Sequence, residues 1–137
     1  MNKFNSCVLF FLLFYLVGCT DDTALNPSNS NTPVVSKTSN AFSYTLASDF
    51  FTSIAEYDLL FTSDSLAFSL IVSRYFSGSG MLTIKDSSGA NIYSESLQGN
   101  KVISFTQTGV GIPKKAQLEF DRYTGTVVFA LARSNSN

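Results

Sequence analysis

From residue 41 to about residue 133, apolar side chains recur at every second position. Period two is the repeat of a β-strand, whose successive side chains point to opposite faces. "AFSYTLA" sets Phe42, Tyr44 and Leu46 on one face, and "EYDLLFT" does the same with Tyr57, Leu59 and Phe61. "SLAFSLIVS" carries Leu66, Phe68, Leu70 and Val72 on one side and Ala67, Ser69, Ile71 and Ser73 on the other. "GMLTIKD", "NIYSESL", "KVISFTQT", "KAQLEFDRY" and "TVVFALA" continue the pattern. A half-buried sheet is the structure that such alternation specifies.

Turn residues separate these runs. Ser77-Gly78-Ser79-Gly80 and Gly99-Asn100 are breaks, and 108–113 is a Gly- and Pro-containing loop. Asp86-Ser87-Ser88-Gly89 has the composition of a type I turn closed by a left-handed glycine. Gly125 is expected in a tight turn before the last strand. In "SDFFTSIAEYDLLF" the apolar residues also fall at helical spacing, so 49–55 is expected to be a short helical turn or an irregular link. The fold expected is all-β: a single antiparallel two-sheet sandwich, jelly-roll-like, of about eight strands over 41–133. Residues 134–137 are expected to form a disordered tail. About 95 residues bury one core of this kind, and no second domain or internal repeat is visible.

"MLTIKDSSGANIYSES" and the terminal "YTGTVVFALA" resemble the small jelly-roll modules of secreted bacterial proteins, such as the pre-peptidase C-terminal domain. The resemblance covers 80–97 and 123–132. It implies a binding or accessory role, mostly non-catalytic, and no particular ligand.

The other end of the chain speaks to location. Lys3 gives a short basic start, and Cys7 to Val17 is an apolar run of signal-core length. A comfortable membrane span needs roughly 20 apolar residues. Leu16-Val17-Gly18-Cys19 then resembles the lipobox of bacterial lipoproteins. That resemblance implies cleavage after residue 18, with the Cys19 thiol and the new amino terminus carrying acyl chains. Two or more chains hold a protein stably at a membrane, whereas one holds marginally. Thr20, in the place where an Asp retains enteric lipoproteins at the inner membrane, implies the outer membrane, and Asp21-Asp22 is similar to a surface-export signal. The membrane partner is then reached through Cys19, and the domain faces the periplasm or is exposed on the cell surface. Residues 20–40, rich in Asn, Ser, Thr and Pro, read as a flexible tether with a mean span of about 25 Å.

The sequence has two cysteines. With Cys7 removed and Cys19 acylated, no thiol or disulfide remains, so the domain must hold by packing alone. There are 9 Lys and Arg against 10 Asp and Glu. Loss of Lys3 leaves 8 against 10, a net charge of −2. No basic patch accompanies this balance, which argues against a nucleic-acid partner.

The sequence contains no histidine. That removes the commonest general base, the commonest metal ligand and every Ser-His or Cys-His nucleophile. Lys85, Lys101, Lys114 and Lys115 lie in no motif that would make a Ser-Lys pair. Glu119 and Asp121 share a strand face, but Leu118 and Phe120 claim the buried side, so both acids should meet water. No run resembles a calcium loop, although Asp58, Asp64 and Asp86 could converge from separate loops. The expectation is no enzyme, no cofactor and no metal, with a small envelope enzyme the least favoured reading.

Two kinds of binding residue remain. Arg74-Tyr75 and Arg122-Tyr123 place an arginine beside an aromatic ring near a strand end, suited to a glycan or peptide. The alternative for each tyrosine is a ring closing the core with its hydroxyl in water. Leu60, Ile71, Val128 and Ala130 fall on the face away from the main apolar set. They would form an exposed patch for a protein partner, or belong to central strands covered on both sides. The leading expectation is a lipid-anchored envelope or surface protein with a non-catalytic binding or structural domain. The runner-up is a carbohydrate-binding lipoprotein that uses the tyrosine-bearing strand ends.

Overall fold

A computed structural model describes residues 30–109 and 111–134. The signal segment, Leu16 to Cys19, most of the tether and the tail at 135–137 lie outside the described residues. The chain is all-β: β1 (Val34–Lys37), β2 (Ala41–Asp58), β3 (Leu66–Lys85), β4 (Asn91–Ser96), β5 (Lys101–Gln107) and β6 (Lys115–Arg133). They form one antiparallel hydrogen-bonded sheet in the order β1-β2-β6-β3-β4, with β5 also paired to β3.

Six strands stand where about eight were expected, because three pairs of runs fuse. "AFSYTLA" and the start of "EYDLLFT" are one strand, β2; "SLAFSLIVS" and "GMLTIKD" are β3; "KAQLEFDRY" and "TVVFALA" are β6. The sixth strand, β1, comes from the end of the segment read as a tether, pairing Val34 with Thr45 and Lys37 with Phe42.

A straight strand of β3's twenty residues would run ~66 Å, so the long strands must bend. Bulges do this: the register shifts at Ser48/Phe51 and Phe51/Ser53 in β2, and at Ser73/Ser77 and Ser77/Ser79 in β3. The inward set of β2 accordingly switches from Phe42, Tyr44 and Leu46 to Phe51, Ala55 and Tyr57. In β6 it switches from Ala116, Leu118 and Phe120 to Tyr123, Val127 and Phe129. The segment 49–55, expected to be helical or irregular, is the bulged middle of β2. Gly125, expected in a turn, sits inside β6, where a Cβ would lie 3.1 Å from the Tyr75 Cα.

The bends double the sheet over, and the core lies between its two halves. Tyr44 of the first half meets Tyr57 and Phe120 of the second, with ring centroids at 5.8 and 6.4 Å. Tyr93 of β4 meets Phe68 at 4.6 Å and Phe105 of β5 at 5.3 Å. The first half contains β1, the starts of β2 and β3, the end of β6, and β5. The second contains the ends of β2 and β3, the start of β6, and β4. Lys101 of β5 ties the free edges together, reaching Glu95 Oε1 and the Ser96 carbonyl of β4 at 2.9 Å each.

Candidate functional site

The three long strands bend side by side, and each bend carries a left-handed residue with a side chain: Phe50 (φ 51°), Arg74 (φ 53°) and Arg122 (φ 48°). This conformation costs about 1–2 kcal/mol in any residue but glycine, because Cβ crowds the backbone. Cross-strand bonds hold the bends in place. The Phe50 amide donates to Thr124 Oγ1 at 3.0 Å and the Arg122 amide to Thr52 Oγ1 at 2.9 Å. Gly78 is required beside Arg122, since a Cβ there would fall 2.3 Å from the Arg122 carbonyl oxygen.

The arginine–tyrosine pairs separate at these bends. Arg74 and Arg122 face solvent, whereas Tyr123 is fully buried and Tyr75 half-buried. Their rings pack 5.7 Å apart. The Tyr123 hydroxyl donates to the Leu97 carbonyl at 2.9 Å and the Tyr75 hydroxyl to the Gly78 carbonyl at 2.8 Å. Burial pushes the Tyr123 hydroxyl up to about 12. The Tyr123 ring is wholly buried and cannot stack on a ligand, so it is corrected from a candidate site residue to part of the core; Tyr75 packs half-buried against it, and both lie at mid-strand bends. The Arg122 guanidinium stands 3.6 Å from the Asp121 carboxylate.

Phe50, 68 % exposed, is the ring the bend offers instead. With Ser77, Gly78, Ser79, Asp121 and Arg122 it lines an open hollow of about 310 Å³. A second hollow of about 490 Å³ shares Ser79 and Asp121 and continues along Thr52, Ile54, Met81, Gln98 and Glu119. Sequence reasoning missed Phe50, although "FF" at 50–51 held a signal: under period two only one of two neighbouring rings can face inward.

Ile71 and Val128 are brought together as direct cross-strand partners. The same lateral row runs Val34–Thr45–Val128–Ile71–Val102 across five strands. Val34 is 69 % exposed, Ile71 38 % and Val102 74 %. The neighbouring rows on this face are Ser36, Ser43, Ala130, Ser69 and Ser104, then Ala41, Ala132, Ala67 and Thr106. Every side chain in these rows is Val, Ile, Ala, Ser or Thr, so the face carries no ionisable group. The opposite outer face is charged: Lys115 donates to Glu56 at 2.6 Å, and Gln117 links Lys85 at 2.5 Å to Glu119 at 2.7 Å.

Among the described residues, no group of three or more acids or thiols is placed to hold a metal ion. Glu119 accepts from Gln117 on the outer face, and Asp121 lies beside Arg122. No described helix is long and apolar enough to cross a membrane.

No protein-family model and no curated protein matches the chain. Solved structures similar to it include a pilus protein of Bacillus endospore appendages, 13 % identical, with a TM-score of 0.46 over 78 % of this chain and 95 % of that one. A structure described as "CBM4 structure and function" is 13 % identical, with a TM-score of 0.36 over 76 % of this chain and 79 % of that one. The CBM1 of BiXyn10A in its apo form is 15 % identical, with a TM-score of 0.34 over 75 % and 82 %. At these scores the likenesses carry no argument about site or function.

Proposed function

We propose that this chain is a lipid-anchored component of a bacterial outer membrane, periplasm-facing or surface-exposed, whose β-domain binds or builds and does not catalyse. The anchor rests on Leu16-Val17-Gly18-Cys19 behind a basic start and an apolar core. The domain is best read as a jelly-roll sandwich. Counted by halves, one layer runs β1-β2-β6-β3-β5 and the other β2-β6-β3-β4, nine strand segments in all.

The observation that carries the binding role is the uncharged face bearing Val34, Val128, Ile71 and Val102. Five strands at sheet spacing make it about 20 Å wide, and the five residues from first row to last, 67–71 in β3, make it about 17 Å tall. That is the size of the centre of a weak or transient interface. A surface without charge leaves no ion to desolvate, so it suits a protein surface that is itself uncharged. A photo-crosslinking residue at Val102 should capture a discrete protein partner in intact cells, and Ile71→Lys should suppress the capture. The same probe at Glu56, on the charged layer, should capture none. Equal capture at both positions, or none at Val102, overturns this role. Cys19→Ala should release the chain into the soluble fraction; retention in the membrane overturns the anchor.

A second reading, a carbohydrate-binding lipoprotein, is favoured by the exposed arginines and the Phe50 ring at the bends.

A further inference from the structure

Phe50 and Arg122 present a paradox of placement. Both hold a left-handed backbone that glycine adopts freely, and the chain does use glycine at neighbouring Gly78. Both side chains are nevertheless present and exposed. A large side chain kept at a strained, exposed position contributes little to the core, and such strain is characteristic of ligand clamps.

The two side chains open onto the same furrow, formed by the adjoining hollows that share Ser79 and Asp121. Each hollow falls within the ~300–1,000 Å³ of small-ligand sites. Apolar bodies and polar groups share its lining: Phe50, Ile54 and Met81 with Arg122, Asp121, Gln98 and Glu119. One cation stands against two carboxylates. Such a lining matches a ligand with apolar ring faces and many hydroxyls, each able to donate and to accept.

We propose that this furrow binds a chain of uncharged sugars. Phe50 stacks on the C–H face of one pyranose. Asp121 accepts from its hydroxyls and Arg122 donates to them, both as charge-assisted bonds. The second hollow holds the adjoining sugar over Ile54 and Met81, with Gln98 and Glu119 at its hydroxyls. The two carboxylates disfavour uronates, phosphates and anionic lipid headgroups. This inference rests on the binding-domain reading and deepens its carbohydrate form. Arg74, the left-handed residue at the bend of β3, is not in the furrow lining and serves as the control.

The test uses the full chain in detergent, run through gels containing mixed-linkage glucan, arabinoxylan, mannan or amylose. At least one of these polysaccharides should retard it. Phe50→Gly and Arg122→Gly should each weaken the retardation at least about tenfold while leaving Tm unchanged or raised. Arg74→Gly should leave the retardation intact. If either glycine variant lowers Tm, the exposed change Asp121→Ala decides, and it should weaken retardation by a similar factor. Retardation by none of the four, or retardation indifferent to Phe50→Gly and Asp121→Ala, overturns the inference. Capture by anionic vesicles in place of polysaccharide does so too. A chain that gives the Val102 crosslink but binds no polysaccharide loses this inference and keeps the binding domain; a chain that gives neither loses both.

Discussion

Phe42 and Tyr57 lie fifteen residues apart on one β-strand, yet their ring centroids are 5.8 Å apart. A straight strand would separate them by ~50 Å. The contact exists only because β2 bends at Phe50 and lays its second half over its first. Phe42→Ala should therefore lower unfolding stability by about 3–5 kcal/mol, through lost burial and a cavity. Ile54→Ala, on the outer side of the same strand, should change it by less than about 0.5 kcal/mol. Urea unfolding of both variants checks this, and equal losses would contradict a core between the two halves.

The bend can be probed at its closest backbone approach. A Cβ on Gly78 would sit 2.3 Å from the Arg122 carbonyl oxygen, on a backbone at φ +88°. Gly78→Ala must move β3 away from β6 and should destabilise by more than about 2 kcal/mol. Gly89 is also left-handed, but a Cβ there meets nothing within 4 Å. Gly89→Ala should cost about 1 kcal/mol, from conformation alone. Thermal melts of the two variants give the ranking.

The end of the tether belongs to the sheet. Asn31 mimics a strand neighbour: its side chain donates to the Asp49 carbonyl and accepts from the Asp49 amide, both at 2.9 Å. Its own amide donates to the Ala47 carbonyl at 2.9 Å. Deleting residues 20–29 should leave Tm nearly unchanged, whereas deleting 20–37 also removes β1 and should lower it by several degrees. Calorimetry of the two deletions separates a plain tether from one that ends in a structural strand.

Alkali should unfold the domain from within. Burial raises the Tyr44 hydroxyl, and it pushes Tyr123 up to about 12. Tyr93 is also pushed to about 12, by burial and then by the Glu95 charge beside it. In the unfolded chain these phenols ionise near 10. The folded state holds their protons longer, so the stability they contribute is complete below pH 10 and is lost as pH rises towards 12. Denaturant midpoints across that range should fall steadily. Tyr123→Phe should flatten the fall while lowering the midpoint at neutral pH, because the Leu97 carbonyl loses its donor. A flat midpoint between pH 10 and 12 would contradict the burial of these rings.

Much of the fold was legible because alternation reports directly on strands. Phe42, Tyr44 and Leu46, like Leu66, Phe68 and Leu70, face inward as their spacing requires. The Asp86 turn forms as read, its Oδ1 accepting from the Ser88 amide at 2.8 Å and the Ala90 amide at 3.0 Å. Ile71 and Val128 were placed off the main apolar face by phase alone, and they share one outer row. Strand count was harder. A bulge reverses the phase of alternation, and at "ASDFFTS" and "FDRYTG" a reversal reads the same as a break between two strands. The choice between a binding ring and a core ring at Tyr75 and Tyr123 stayed open for the same reason. Beside a bulge, phase no longer says which of two neighbours turns inward, and Tyr123 went in while Arg122 stayed out.

The sequence by itself determined the class of this protein. Period-two patterning demands a sheet with one buried face, histidine is absent, and the first nineteen residues resemble a lipoprotein signal. Each of these is a local property, readable within a few residues. Only the tertiary structure decided that three strands run unbroken through their bends. It also decided that one outer face is free of charge while the other carries the Glu56–Lys115 ion pair and the charged ends of Lys85 and Glu119, and that Phe50 shares a furrow with Arg122. These are matters of register between residues some seventy positions apart, such as Phe50 and Thr124, bonded across the bend. Register is set by which bulges close against each other, and no local pattern records that choice.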